Sequence, residues 1–169
     1  MAGDGSRRRL PLAQGLTTDP TRRSDAVSED RVIGTGLNVI CAAERSEGVV
    51  RYLKKPSDVI NLVRDGDIGN TVVLARAGTV TFVGPVLSRK PAGIITIEGA
   101  PQSHLGILAR EFGVRAVMSI ELADSAVERK GPDGVTSEAY VDYAAGELDG
   151  KRVVLDCSDA DRGVILAAD

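Results

Sequence analysis

Short apolar runs separated by polar, glycine-containing turns divide the chain from residue 31 onward. Runs rich in Val, Ile, Leu and Tyr favour a pleated, half-buried conformation. They predict strands at residues 32–40, 48–53, 71–75, 92–97, 114–120, 151–157 and 162–167. A further apolar pattern that begins at Pro56 predicts a short helix at residues 56–63, since proline is tolerated in the first turn of a helix.

One helix is predicted more clearly than any other element. Its apolar residues fall at positions i, i+3, i+4 and i+7, namely Leu105, Leu108, Ala109 and Phe112. Ser103 is placed to cap the start of this helix, and Gly113 to end it. A second face comprises Ser103, Gly106, Ile107 and Arg110. We expect that face to lie away from the core and to be available to a partner.

Two segments do not follow a clear period. The apolar residues of segment 81–89 neither alternate nor repeat at helical spacing. Segment 121–147 is polar and punctuated by glycine, with a strong loop signal at residues 130–134. We interpret segment 121–147 as a mobile surface loop, with a functional insertion as the alternative.

The first 30 residues differ in composition from the rest of the chain. They contain five arginines and five acidic residues but almost no apolar periodicity, which predicts a flexible, disordered tail at residues 1–30. The remaining residues, 31–169, suffice for one core, so the chain of 169 residues is expected to form a single domain.

Composition and charge exclude several classes of function. A net charge of −3 and an aromatic content of 3% argue against a nucleic-acid-binding protein. No apolar run approaches the roughly 18 residues of a membrane-spanning helix, and the residues after Arg7–Arg9 are too polar for an export signal. Cys41 and Cys157 are far apart in sequence and are interpreted as small buried residues of a cytoplasmic protein, with a disulfide left open.

The candidate chemistry centres on His104, the one histidine of the chain. It stands at the predicted start of a helix, where unpaired backbone N–H groups and the helix dipole favour anions. A neutral imidazole, whose unperturbed pKa is about 6.5, is a suitable nucleophile for phosphoryl transfer. The alternative is a surface or core histidine without function. The sequence has no zinc-ligand spacing, no Gly-Lys-Ser/Thr phosphate loop and no complete dinucleotide fingerprint, so no metal or cofactor site is predicted.

The residues around His104 carry a denser pattern than the histidine alone. They are Thr96, Gly99, Ser103, His104, Ile107, Ala109, Arg110, Glu111, Gly113, Ala116 and Val117. This pattern resembles the phosphohistidine signature of the swivelling, or mobile, domain of phosphoenolpyruvate-utilising enzymes (pyruvate phosphate dikinase/phosphoenolpyruvate synthase-like). Weaker resemblance extends over residues 31–166. The resemblance implies an α/β fold of the swivelling β/β/α sandwich type, with His104 on an exposed edge.

The resemblance also implies roles for the residues near the imidazole. His104 is the residue that is phosphorylated. Thr96 orients the imidazole or its phosphate through a hydroxyl hydrogen bond, and Ser103 caps the helix and donates to the phosphate. Arg110 pairs with the phosphoryl group or with a docking partner; its alternative role is a structural ion pair with Glu98 or Glu111.

By this resemblance the chain is a stand-alone carrier subunit that is inactive alone. His104 shuttles a phosphoryl group from an ATP-grasp kinase partner, which binds ATP and Mg, to a second active site. That second partner binds phosphoenolpyruvate, pyruvate or another acceptor.

Three residues depart from the resembled signature: Ala100 replaces a glycine, Leu105 a smaller residue, and Arg115 a proline. Alanine tolerates positive φ poorly, so Ala100 is expected to stiffen the turn before the helix. These departures support an alternative, a noncatalytic structural or regulatory subunit that retains the fold. A ligand-binding or interaction module is a further alternative.

Overall fold

The computed structural model describes residues 31–77 and 80–168. The predicted tail, residues 1–30, lies outside the described residues. The strands are β1 Val32–Asn38, β2 Ala42–Tyr52, β3 Thr71–Ala75, β4 Gly93–Thr96, β5 Ala116–Leu122, β6 Arg152–Cys157 and β7 Arg162–Ala167. The helices are α1 Pro56–Asp65, α2 Val80–Leu87, α3 His104–Phe112 and α4 Glu138–Leu148, and a 3₁₀ turn, Ile68–Asn70, precedes β3.

The seven strands form one closed sheet in the order β1-β5-β4-β3-β2-β6-β7, in which β7 also pairs with β1. Strands β2, β3, β4 and β5 are parallel, and the other pairings are antiparallel. The α/β class is therefore confirmed. The predicted β/β/α sandwich is correct only in part, because the pairing of β1 with β7 closes the sheet into a barrel that leaves no edge at this point.

Alternate side chains of the parallel strands enter two apolar clusters, as the two-residue period of a strand requires. Val72 and Leu74 of β3 belong to the cluster that also contains β6, β7 and α4 residues. Val73 and Ala75 belong to the cluster under α1, α2 and α3. The three helices that connect the parallel strands thus form one layer on the outside of the sheet, and α3 is held in that layer.

Most predicted elements are confirmed, some of them to the residue. Strand β3 has the predicted limits, and α1 begins at Pro56 as expected. Strand β2 begins at Ala42, six residues before its predicted start, and pairs with β6 along this added length. Cys157 is buried as predicted, but the expectation for Cys41 is wrong, because its side chain is exposed in the turn before β2.

The prediction of a loop throughout 121–147 is wrong in its second half. Helix α4 occupies Glu138–Leu148 and is capped by Ser137, whose hydroxyl accepts a hydrogen bond from the Tyr140 N–H at 3.2 Å. Its buried residues are Tyr140, Val141, Ala144, Ala145 and Leu148, a helical repeat that ties α4 to the barrel.

Segment 81–89 contains most of α2, which is apolar on nearly all sides. Its Val83, Val86 and Leu87 are fully buried. Because a helix that packs between neighbours needs no polar face, no amphipathic period is visible in its sequence.

Candidate functional site

The loop between β4 and α3, residues 97–103, carries the candidate site. His104 is the first residue of α3, and its side chain is exposed. The loop leaves the carboxyl end of β4, which pairs in parallel with β3 and β5, so the carboxyl ends of these strands lie at the same end of the sheet. In α/β barrels as in open α/β sheets, ligands usually bind at this end. The predicted position of His104 at the start of a helix, with its side chain exposed, is confirmed. The predicted sandwich edge is not found, because the sheet is closed.

Both ends of the nine-residue helix α3 are capped as predicted. The Ser103 hydroxyl accepts a hydrogen bond from the Gly106 N–H at 3.3 Å. Gly113 adopts a left-handed conformation with φ of +66°, and its N–H donates to the last turn. His104 therefore stands at a well-formed helix N-terminus, where the helix dipole stabilises negative charge.

Gly106 does not lie on an accessible face, which corrects the expectation for this residue. It is buried, and a Cβ atom added to it would lie 2.1 Å from the carbonyl oxygen of Pro101. The first turn of α3 thus packs directly on the backbone of its own preceding loop. Ile107 and Arg110 are exposed, as the predicted second face requires. Phe112, assigned to the core stripe, is 37% exposed.

Backbone contacts hold the loop in one path. The Glu98 N–H donates to the carbonyl of Arg76 at 2.7 Å, and the Ser103 N–H donates to the carbonyl of Ala100 at 2.9 Å. The positive φ in this turn falls on Gly99, at +118°, and not on Ala100. The alanine that departs from the resembled signature is therefore accommodated without backbone strain.

Thr96, the last residue of β4, lies directly under this turn. Its side chain is fully buried, and among the described residues its hydroxyl has no hydrogen-bond partner. A Cβ atom built on Gly99 would lie 3.5 Å from the Thr96 hydroxyl oxygen. A buried hydroxyl without a partner is costly, so its presence below the loop marks an unused hydrogen-bonding group beside the candidate site.

Arg110 anchors α3 to the turn between β1 and β2. Its Nε donates to the backbone carbonyl of Val39 at 2.9 Å. The expected alternative, an ion pair with Glu98 or Glu111, is not what the described residues form. Glu98 pairs instead with Arg76, whose Nε lies 3.4 Å from its carboxylate.

The other two departures from the signature also have structural partners. Leu105 is 1% exposed and fills the core under the helix layer. Arg115 donates from Nε to the backbone carbonyl of Glu44 at 2.7 Å, which ties the start of β5 to β2. Neither side chain intrudes on the loop contacts described above.

Two arginines from other segments contact the loop, and the sequence did not predict either: Arg129 from the segment after β5, and Arg76 from the segment after β3. Arg129 is 18% exposed and donates to the carbonyl of Ile97 at 3.4 Å while pairing with Glu121. Arg76 lies 2.6 Å from Glu138 at the start of α4, and this hydrogen bond, with the charge of Glu98, raises the pKa of Arg76. No local spacing links these residues to the loop, because only the tertiary fold brings them together.

Within residues 31–77 and 80–168, no group of three or more His, Cys, Asp or Glu side chains is arranged to hold a metal ion. None of the helices described there has the length and apolar character needed to cross a membrane.

The loop and α3 lie within the part of the chain that is similar to known proteins. The family model described as "PEP-utilising enzyme, mobile domain" matches residues 68–160, which include the whole loop and α3. The chain is also 29% identical, over 147 residues, to a phosphoenolpyruvate synthase of Deinococcus radiodurans. That alignment covers 87% of this chain but only 14% of the synthase.

Proposed function

The chain belongs to the mobile-domain family of PEP-utilising enzymes, and from this premise we propose that it is a phosphohistidine carrier that works through His104. The observation that carries the proposal is the position of this imidazole. It is exposed at the first residue of a capped helix, within the part of the chain that the family model matches. An exposed nucleophile at a helix N-terminus is accessible to large partners and is placed where an added phosphoryl group is stabilised.

The transfer consists of two displacements. An unprotonated imidazole nitrogen attacks the phosphorus atom of a donor, a nitrogen–phosphorus bond forms, and the leaving oxygen departs with the electron pair of the broken bond. An acceptor oxygen then attacks the same phosphorus, and the imidazole leaves. The helix N-terminus offsets part of the phosphoryl charge in the intermediate state.

The neighbouring side chains have distinct roles in this proposal. Thr96 supplies the buried hydroxyl that orients the imidazole or its phosphate, which accounts for a hydroxyl with no partner among the described residues. Ser103 caps α3, and its hydroxyl donates a hydrogen bond to the phosphate. Arg110 presents the guanidinium nitrogens that Val39 does not engage to the phosphoryl group or to a docking partner.

The partners follow from the function of a carrier. We propose an ATP-grasp partner that binds ATP and Mg and phosphorylates His104. We propose a second partner that binds phosphoenolpyruvate, pyruvate or another acceptor, with both reactions in the cytoplasm. The relative is named a phosphoenolpyruvate synthase, and this chain spans only 14% of its length. We therefore assign the binding of ATP and of the acceptor to other domains or subunits.

The test is phosphoryl uptake and release by the full chain. The protein is incubated with an ATP-grasp partner, Mg and ATP labelled in its β and γ phosphates, and the label is then chased with pyruvate in the presence of the second, acceptor-binding partner. We expect about one label per chain, which is lost in acid and is absent in His104→Ala. Gln102→Ala, at an exposed loop position, is the matched control and takes up label like the wild type.

Two outcomes contradict the proposal. Label that persists in His104→Ala, or that is stable to acid, places the phosphoryl group elsewhere. A wild-type chain that takes no label from an active, ATP-consuming partner indicates the noncatalytic structural or regulatory subunit instead.

A further inference from the structure

Ser119 adopts a backbone conformation that residues with a Cβ atom rarely adopt. It lies inside β5, yet its φ is +53°. Only one other non-glycine residue in the described part of the chain, Lys90, has a positive φ. Such a conformation persists where the surrounding structure enforces it, and it is concentrated at functional sites.

The strand pairing shows what enforces this conformation. Leu37 of β1 pairs with Met118, and Thr35 pairs with Glu121. The interval from Thr35 to Leu37 is two residues, and the interval that faces it on β5, from Met118 to Glu121, is three residues. Strand β5 therefore has one extra residue here, and Ser119 is part of this β-bulge. Bulges beside functional sites redirect a side chain that regular pairing would point elsewhere.

The redirected side chain reaches the loop that carries His104. The Ser119 hydroxyl donates to the carbonyl oxygen of Gly99 at 2.6 Å. Gly99 is the turn residue that lies above the unpartnered hydroxyl of Thr96. The bulge thus connects β5 to Gly99, the residue of this loop that has a positive φ.

We infer that Ser119 is a positioning residue, which fixes the loop over Thr96 and thereby sets the place of the His104 imidazole for phosphoryl transfer. The inference rests on the proposed function and deepens it. Ser119 acts through Gly99 and not on the phosphoryl group. A bulge that served only to curve the barrel would not need the hydroxyl, because glycine adopts the same φ without strain.

The substitution Ser119→Gly separates these two roles. It removes a hydrogen bond and relieves a backbone conformation whose cost is similar in size to the contribution of that bond, so its thermal midpoint is expected to stay close to that of the wild type. Lys90→Gly is the matched control. It relieves the same φ of +53° in the turn before β4, at the end of that strand opposite to the loop.

Phosphorylation is measured with phosphoramidate, a small donor that needs no partner protein. Its phosphorus–nitrogen bond breaks as the imidazole nitrogen bonds to phosphorus, and ammonia leaves with the electron pair. Since misplacement of a reacting group by about 1 Å costs as much as 100-fold in rate, we expect Ser119→Gly to react about tenfold more slowly than the wild type. Lys90→Gly should react at the wild-type rate.

A spectroscopic measurement tests positioning without any phosphoryl transfer. Because His104 is the one histidine of the chain, the imidazole gives a single set of ¹H–¹⁵N signals. These signals should shift in Ser119→Gly and remain unchanged in Lys90→Gly. Wild-type signals together with a wild-type rate in a folded Ser119→Gly protein overturn the inference.

The failure of the proposed function has a different signature. If an active ATP-grasp partner with Mg and labelled ATP leaves the folded wild type unlabelled, the carrier proposal loses its support. In that case the imidazole signals alone decide whether Ser119 positions the loop.

Discussion

A substitution of Gly106 is expected to lower the stability of the fold more clearly than any other change near the site. The substitution Gly106→Ala adds a Cβ atom that would lie 2.1 Å from the Pro101 carbonyl oxygen. Overpacking of this kind costs about 1–3 kcal/mol, and the higher helix propensity of alanine returns about 1 kcal/mol. The contact is with backbone that has no rotamer to change, which favours an overpacking cost in the upper part of that range, about 2–3 kcal/mol, and so a net loss of about 1–2 kcal/mol.

The assay is thermal unfolding followed by circular dichroism. In a domain of this size, that loss corresponds to a thermal midpoint lower by about 2–8 °C. Gly146→Ala is the matched control, because Gly146 lies in α4 and a Cβ atom there meets nothing within 4 Å. This control should melt slightly above the wild type.

The reasoning is refuted if Gly106→Ala also melts at or above the wild-type temperature. That result would mean that the loop yields to the added methyl group and that Pro101 does not fix the first turn of α3.

Two more predictions concern the surroundings of the site and the cysteines. Arg110→Ala should lose about 1 kcal/mol in urea unfolding because it removes the hydrogen bond to the Val39 carbonyl, whereas Glu111→Ala should lose nothing. In the native protein at pH 8, a thiol reagent should modify exposed Cys41 only, because burial raises the pKa of Cys157 to about 11 and keeps that thiol protonated. The stability that the buried thiol contributes is complete below its ordinary pKa of 9.0 and is lost as the pH rises towards 11, so Cys157→Ala should show a shallower decline over that range.

Local patterns predicted the part of the site that local interactions determine. The spacing of Leu105, Leu108 and Ala109, between a capping Ser103 and a terminal Gly113, determines both the limits and the buried face of α3. These signals lie within one segment, residues 103–113, so they can be recognised without the fold.

Helix α4 was missed although its signals are also local. Ser137 caps it, and its buried residues repeat at helical spacing. Gly146 and the polar residues between the buried positions give segment 121–147 the composition of a loop, although the spacing of the buried residues is that of a helix.

The remaining features depend on long-range pairing and have no local signal. The barrel closes because β1 pairs with β7 across most of the chain. The bulge at Ser119 exists only in the pairing of β5 with β1, and its hydroxyl reaches Gly99, 20 residues away in sequence. Without the register of these strands, the sequence cannot place Ser119 against Gly99 in the loop that precedes His104.

The most direct test of the central claim is the ³¹P NMR spectrum of the chain after phosphorylation by an ATP-grasp partner. The account predicts one phosphorus signal in the phosphoramidate region, stable in alkali, lost in acid and absent from His104→Ala. A signal that survives acid, or one that remains in His104→Ala, would contradict the account, because the phosphoryl group would then not be carried by His104.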